Sequence, residues 1–255
     1  FSTTSDGTHG GGSEYTTGVT VLSSTSIQIV VAASAPNLNY YCSNHSGMGG
    51  AINTNSTLGS SNFDGTGQAV VKANTTAGFS IVSYTGNSGS SGSGVLQTIG
   101  HGLGVTPQVI IMKSRSLNES YSHWAVYHHN VTDANTDYLK LESTAARTET
   151  DVNYMGQTLP TSSVFSLGYN FTTNKASETY IAYCFSEVAG FSRIGFYIGN
   201  GRTDGTFVFC GFRPAWLLIK KSSAAGSWVL WDNKRNPHNV CDIDINPNRD
   251  FAEDY

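Results

Sequence analysis

The sequence predicts an all-β protein built from antiparallel sandwiches or barrels, and three observations carry that reading. Almost every apolar block has the length and residue types of a strand. No segment shows the apolar stripe of an amphipathic helix. The later part of the chain repeats blocks of the earlier part in the same order.

Taken in order, the strand blocks begin with "SIQIVVAA" from Ser26, "FSIVSY" from Phe79, "QVIIMK" from Gln108 and "HWAVYH" from His123. "DYLKLES" from Asp137, "SVFSLGY" from Ser163 and "TYIAYCFSE" from Thr179 follow. The series ends with "RIGFYIG" from Arg193, "TFVFCGF" from Thr206, "AWLLIKK" from Ala215 and "SWVLW" from Ser227. Gly, Ser, Asn and Pro separate the blocks, which is the chemistry of turns rather than of helix caps. Charged residues make up only 13% of the chain, about half the usual globular share. Small polar residues therefore cover the surface, as suits solvated faces of sheets.

The repeat is explicit. "GFSIVSYTGN" from Gly78 returns as "GFSRIGFYIGN" from Gly190, "TPQVIIMKSRS" from Thr106 as "RPAWLLIKKSS" from Arg213, and "SHWAVYHHN" from Ser122 as "GSWVLWDNKRN" from Gly226. A period of this length suits a whole sandwich rather than a solenoid. It divides the chain into residues 1–55, a Gly/Ser/Thr-rich linker over 56–77, a first repeat over 78–189 and a second over 190–255. The second repeat is incomplete, because nothing in it corresponds to "SSVFSLGY" or "ETYIAYCFSE". The start at Phe1 has neither Met nor the basic and apolar regions of a signal peptide, so the chain is expected to be an internal part of a longer one acting within a multimer.

Composition also bears on function classes. A net charge of -4 and no Lys/Arg cluster beyond Lys220 and Lys221 offer no track for a nucleic-acid backbone, and the longest apolar run, "IVVAASA", is too short to span a bilayer. Cys42, Cys184, Cys210 and Cys241 are too widely and irregularly spaced for a zinc site or a small disulfide framework. Cys184 and Cys210, inside strand blocks, are expected to be buried thiols.

One loop has metal-site spacing. "YYCSNHSGMGG" places Cys42, His45 and Met48 in a C-x2-H-x2-M pattern, three of the donors that a blue-copper centre takes from a single loop. The one upstream histidine, His9, stands as the fourth candidate. The competing reading makes Cys42 and Met48 packing residues and His45 a local hydrogen-bonding group. Two calcium-like stretches, Asp133/Asn135/Asp137 and the run from Asp242 to Glu253, lack the turn glycine, so both are read as plain turns. His123, His128 and His129 sit in ordinary strand alternation, and no nucleophile elbow, HExxH pair or framed carboxylate couple is present, so an enzyme is not expected. Six N-x-[ST] sequons, at Asn44, Asn55, Asn74, Asn118, Asn130 and Asn170, are near chance for this composition. Among the aromatics, Trp231 and Tyr127 are the candidates for stacking on a sugar ring. Trp124 and Trp228, which occupy equivalent repeat positions, are expected in the core.

A set of ordered segments carries a family resemblance: "FSTTSDGTHGGGSEYTTGVT", "YYCSNHSGMGG", "GSSNFDG", "VKANTTAGFSIVSYTGN", "IGHGLGVTPQVIIMK", "PTSSVFSLG", "YIAYCFSEVAGFS" and "FVFCGFRPAWLLIKK". Together they resemble large virion structural proteins of marine tailed bacteriophages, notably cyanophages. The resemblance implies that residues 1–55 are the C-terminal part of a cupredoxin-like β-sandwich, followed by tandem antiparallel jelly-roll or concanavalin-like sandwich repeats. It implies a non-enzymatic fibre, spike or surface-decoration protein of the virion, extracellular, homo-oligomeric and in contact with other virion proteins. A carbohydrate-binding, lectin-like adhesin for a host-surface glycan is the alternative, and a copper-binding cupredoxin-type protein is a weaker one. The resemblance also places the missing copper histidine just before Phe1.

Overall fold

A computed structural model describes the chain apart from residues 5–12, 32–34, 43, 46, 53, 55–58, 89–91, 93, 119–121, 133–136, 150–152, 236, 239–240 and 251–255. The fold is all-β. The one helix among the described residues, α1, is the single turn Phe171–Asn174. The chain divides into two compact units, Phe1–Asn62 with Val70–Lys72, and Phe63–Ala69 with Ala73–Tyr255.

The first unit holds two hairpins. In one, β1 (Val19–Ser23) pairs antiparallel with β2 (Ser26–Ile29), and Val21, Leu22 and Ile27 point their apolar side chains to solvent. In the other, β3 (Leu38–Tyr41) pairs with β4 (Gly49–Ile52), with Leu38 opposite Ile52 and both buried. Ser2 adds a bridge to Asn39 through two 2.8 Å backbone hydrogen bonds. Gly49 is required by close approach, since a Cβ there would lie 2.3 Å from the Tyr40 carbonyl oxygen. Short β5 (Ser60–Asn62) and β6 (Ala69–Asn74) lie in the stretch expected to be a linker. The Gly, Ser and Thr content of that stretch hid the alternation of buried Ala69 and Val71.

The second unit is a sandwich. Its main sheet has the order β11 (Leu139–Lys140), β10 (Ala125–His128), β9 (Val109–Ser114), β13 (Thr179–Phe185), β7 (Phe79–Thr85). A second layer pairs β12 (Val164–Leu167) with β8 (Gln97–Gly100). Alternation decides which side chains meet: Val82 and Tyr84, Ile110 and Met112, Tyr180, Ala182 and Cys184 are buried on the inner face. They face Ile99, Phe165 and Leu167 of the other layer, with Tyr84 edge-on to Phe165 at 5.9 Å. Two tyrosine hydroxyls would be costly to bury there unpaired. Tyr84 donates to the Thr173 carbonyl at 2.8 Å and Tyr180 to the Phe171 carbonyl at 2.7 Å, so α1 satisfies both. Asn170 caps that turn, its Oδ1 accepting from the Thr172 amide.

The internal duplication is visible in strand register. β9 and β10 pair Ile110 with Tyr127 and Ile111 with Val126. β14 (Trp216–Lys220) and β15 (Trp228–Asp232) pair Leu217 with Trp231 and Leu218 with Leu230, the equivalent residues in each case. The match extends outward. Val126 bridges Leu139 as Leu230 bridges Ile245, the His129 amide donates to the Gln108 carbonyl as the Asn233 amide does to Ala215, and Lys113 reaches the Ser122 carbonyl as Lys220 reaches Gly226. Gly78 and Gly190 both have positive φ, as do Gly104 and Gly211. The two meanders pack through corresponding faces: Trp228 and Leu218 of the second lie in one cluster with Val109, Ile111, Val126 and Leu139 of the first.

Beyond the meander the copies diverge. Two blocks expected to be strands, Arg193–Gly199 and Thr206–Phe212, have no strand pairing, and Phe196, Ile198, Phe207 and Phe209 are exposed. The physical reason is the want of partners: in the first copy β7 pairs with β13 and β8 with β12, and no strand among the described residues pairs with the equivalent blocks of the second copy. Cys210, expected to be buried with this block, is half-buried instead, whereas Cys184 is fully buried.

Candidate functional site

The loop between β3 and β4 brings two of the four proposed metal donors together. Cys42 continues β3, and its amide donates to the Met48 carbonyl at 2.9 Å, closing the loop. Cys42 Sγ then lies 3.3 Å from His45 Nδ1. A hydrogen bond with the Asn44 backbone, and after it the one with His45, hold the Cys42 thiol below its ordinary range. A thiolate and an imidazole bound to one metal at tetrahedral angles would stand about 3.5 Å apart, so this pair fits a shared ion. Met48 is 57% exposed, and His9 lies outside the described residues. The fit therefore extends to a thiolate and imidazole pair, not to a closed set of four.

The two glycan candidates are separated by their register positions. Tyr127 is on the inner face of the first sheet and only 3% exposed, which leaves no ring face for a sugar. That corrects its expected role: it is a core residue, and burial pushes its hydroxyl pKa up. Trp231 is the equivalent residue of the second copy, and it is half-buried, with no second layer of that copy over it among the described residues. Trp228 is buried and donates its indole N–H to the Lys140 carbonyl at 2.9 Å. Trp124 is half-buried and stacks on Tyr183 at 6.4 Å.

His123 and His128 have structural partners. His123 Nδ1 meets Glu142 Oε1 at 2.6 Å while its Nε2 faces Lys140 Nζ at 3.3 Å. The carboxylate and the ammonium thus each face one ring nitrogen. Glu142 also accepts from the Trp124 amide. Its part was illegible in sequence, because it is 19 residues from His123 and enters only when β10 and β11 pair. His128 is mostly buried, with Nδ1 accepting from the Asn130 amide and a further hydrogen bond to the Gly195 backbone. Desolvation and the neighbouring His129 push its pKa down to about 4.

Of the calcium-like stretches, Asp133 and Asn135 lie outside the described residues, and Asp137 is buried against Arg147 Nε at 3.3 Å. In the second stretch Ile245 bridges to β15, and Asn248 Oδ1 accepts from the Trp228 amide. Those residues thus tie the stretch to the β15 side of the second meander by an isolated bridge and a side-chain hydrogen bond.

A family model described as Domain of unknown function (DUF7483) matches residues 9–255. No curated protein and no solved structure matches the chain.

Proposed function

We propose that this chain, a member of the family described as Domain of unknown function (DUF7483), is a non-enzymatic structural component of a phage particle, a fibre, spike or surface-decoration protein built from β-modules. The observation that carries the reading is the duplicated meander in matching register, joined to a weakly charged surface and to the ordered segments that resemble marine phage virion proteins. Tandem β-modules supply length and rigidity through backbone pairing, which suits a load-bearing surface element. Among the described residues no helix is long and apolar enough to cross a membrane. Immunogold microscopy of purified marine tailed-phage particles tests the reading. An antiserum against the chain should label a tail or capsid-surface structure, and label confined to lysate and absent from particles would contradict it.

Two further readings each have one supporting observation. Half-buried Trp231 favours a host-glycan adhesin: glycan-array binding by the intact chain, lost in Trp231→Ala with the fold retained, would support that role. The Cys42 and His45 contact favours a copper site on the β3–β4 loop, where copper would supply a thiolate charge-transfer colour. Added copper(II) should then give a visible band that Cys42→Ser abolishes.

A further inference from the structure

His101 follows β8 and is fully buried. Its amide donates to the Ser163 carbonyl at 3.2 Å, which carries the β8–β12 ladder one step past the pairing of Gly100 with Val164. Both ring nitrogens meet backbone groups of fixed polarity. Nε2 lies 3.2 Å from the Thr161 carbonyl oxygen, which can only accept, so Nε2 carries a proton. Nδ1 lies 3.3 Å from the Leu103 amide, which can only donate, so Nδ1 is bare. Geometry thus holds the ring in one neutral tautomer. Thr161 is a firm partner, since its Oγ1 accepts from the Ser163 and Val164 amides and its own amide donates to the Val164 carbonyl. The turn on the Nδ1 side is built to move. Leu103 is 3% exposed and Val105 is 51% exposed, and Gly102 and Gly104, on either side of Leu103, have φ of +69° and +73°. A Cβ on Gly104 would meet nothing within 4 Å, so open space lies beside the turn.

Charge is sparse around the ring. β8, the turn 102–105 and the stretch 161–167 carry no titratable side chain. The segment 63–69, whose Gly67 bridges Ile99, contributes Asp64, and that carboxylate favours the cation. Burial outweighs both the Thr161 bond and Asp64 and lowers the pKa of the ring from its ordinary 6.5. A proton added at Nδ1 would point at the Leu103 N–H. Two donors cannot share a bond, and a cation in a dry site needs water, so the Leu103 amide has to leave.

We propose that His101 is an acid-operated latch: its bare Nδ1 holds the turn 102–104 and Leu103 in the sandwich at neutral pH, and protonation releases that turn to solvent while β9 and β13 stay paired. The release is a local opening hinged at the two glycines. Its sign follows from the lowered pKa. The hold on the turn is whole above about pH 6.5 and is lost as pH falls through the folded value.

The test is amide hydrogen exchange of the whole chain by NMR, with protection taken relative to an unstructured amide at the same pH. Because opening takes up one proton, protection of the Leu103 amide should fall about tenfold per pH unit below pH 6.5 until the folded ring titrates. Amides of Ile110 and Met112 in β9 should lose less. In His101→Asn, an acceptor remains near the place of Nδ1 with no proton to take up, so the fall at Leu103 should disappear. Nitrogen-15 shifts of the wild-type ring at neutral pH should place its proton on Nε2, a readout that holds even where the variant does not fold. Four results would overturn the proposal: protection at Leu103 independent of pH, a fall shared equally by β9, a fall retained in His101→Asn, or a ring proton on Nδ1.

Discussion

Cys42 and His128 have opposite chemistry set by opposite environments. On its exposed loop, Cys42 receives hydrogen bonds that stabilise the thiolate, from the Asn44 backbone first and from His45 second. Its alkylation by iodoacetamide at neutral pH should be faster than that of exposed Cys241, and His45→Ala should slow it and move its pH profile upward. An unchanged profile would show that the 3.3 Å contact does not polarise the thiol. Burial acts the other way on His128, favouring the neutral ring, with a pKa of about 4 against an ordinary 6.5. Because the unfolded chain binds the extra proton between those values, the stability from a neutral His128 is whole above pH 6.5 and is lost as pH falls through about 4. Urea denaturation across that window should show stability decreasing by no more than about 1.4 kcal/mol per pH unit from this group, and His128→Gln should flatten the trend. A slope the variant leaves intact would assign the effect to another group.

At the scale of elements, strand identity was the legible part. Val109–Ser114 and Thr179–Phe185 have the length and composition of strands, but their nearly continuous apolar runs do not show which alternate side chains the structure buries. The matching of "QVIIMK" with "AWLLIKK" foretold a matching register. What could not be read was the dependence of a strand on its neighbour. "RIGFYIG" has strand composition, yet pairing is a property of two segments, and this one has no strand partner among the described residues. The loop site was legible as a spacing and only partly as a geometry, because sequence orders donors without stating which converge. Likewise Tyr127 and Trp231 look alike as aromatic residues in strands, and only the presence or absence of a covering layer separates core from surface. Trp228 joins the two meanders, both by packing with Val126 and Leu139 and by its bond to the Lys140 carbonyl. Trp228→Ala should cost about 3–5 kcal/mol in urea denaturation. A loss below about 1 kcal/mol would mean that the meanders do not share a core.

For the whole molecule, one meander occurs twice with different completion. The first copy has β13 and β7 to extend its sheet and β8 with β12 to cover its inner face. In the second, the β14–β15 pair keeps the register and the Lys220 tie but leaves apolar side chains in solvent. The most direct measurement of that asymmetry is residue-resolved amide exchange of the chain alone, comparing equivalent strands. β9, paired on both edges, should be slow at every residue from Val109 to Ser114, whereas β14 should alternate, slow where an amide points to β15 and fast where it points away. Uniform protection along Trp216–Lys220, equal to that of β9, would contradict the account.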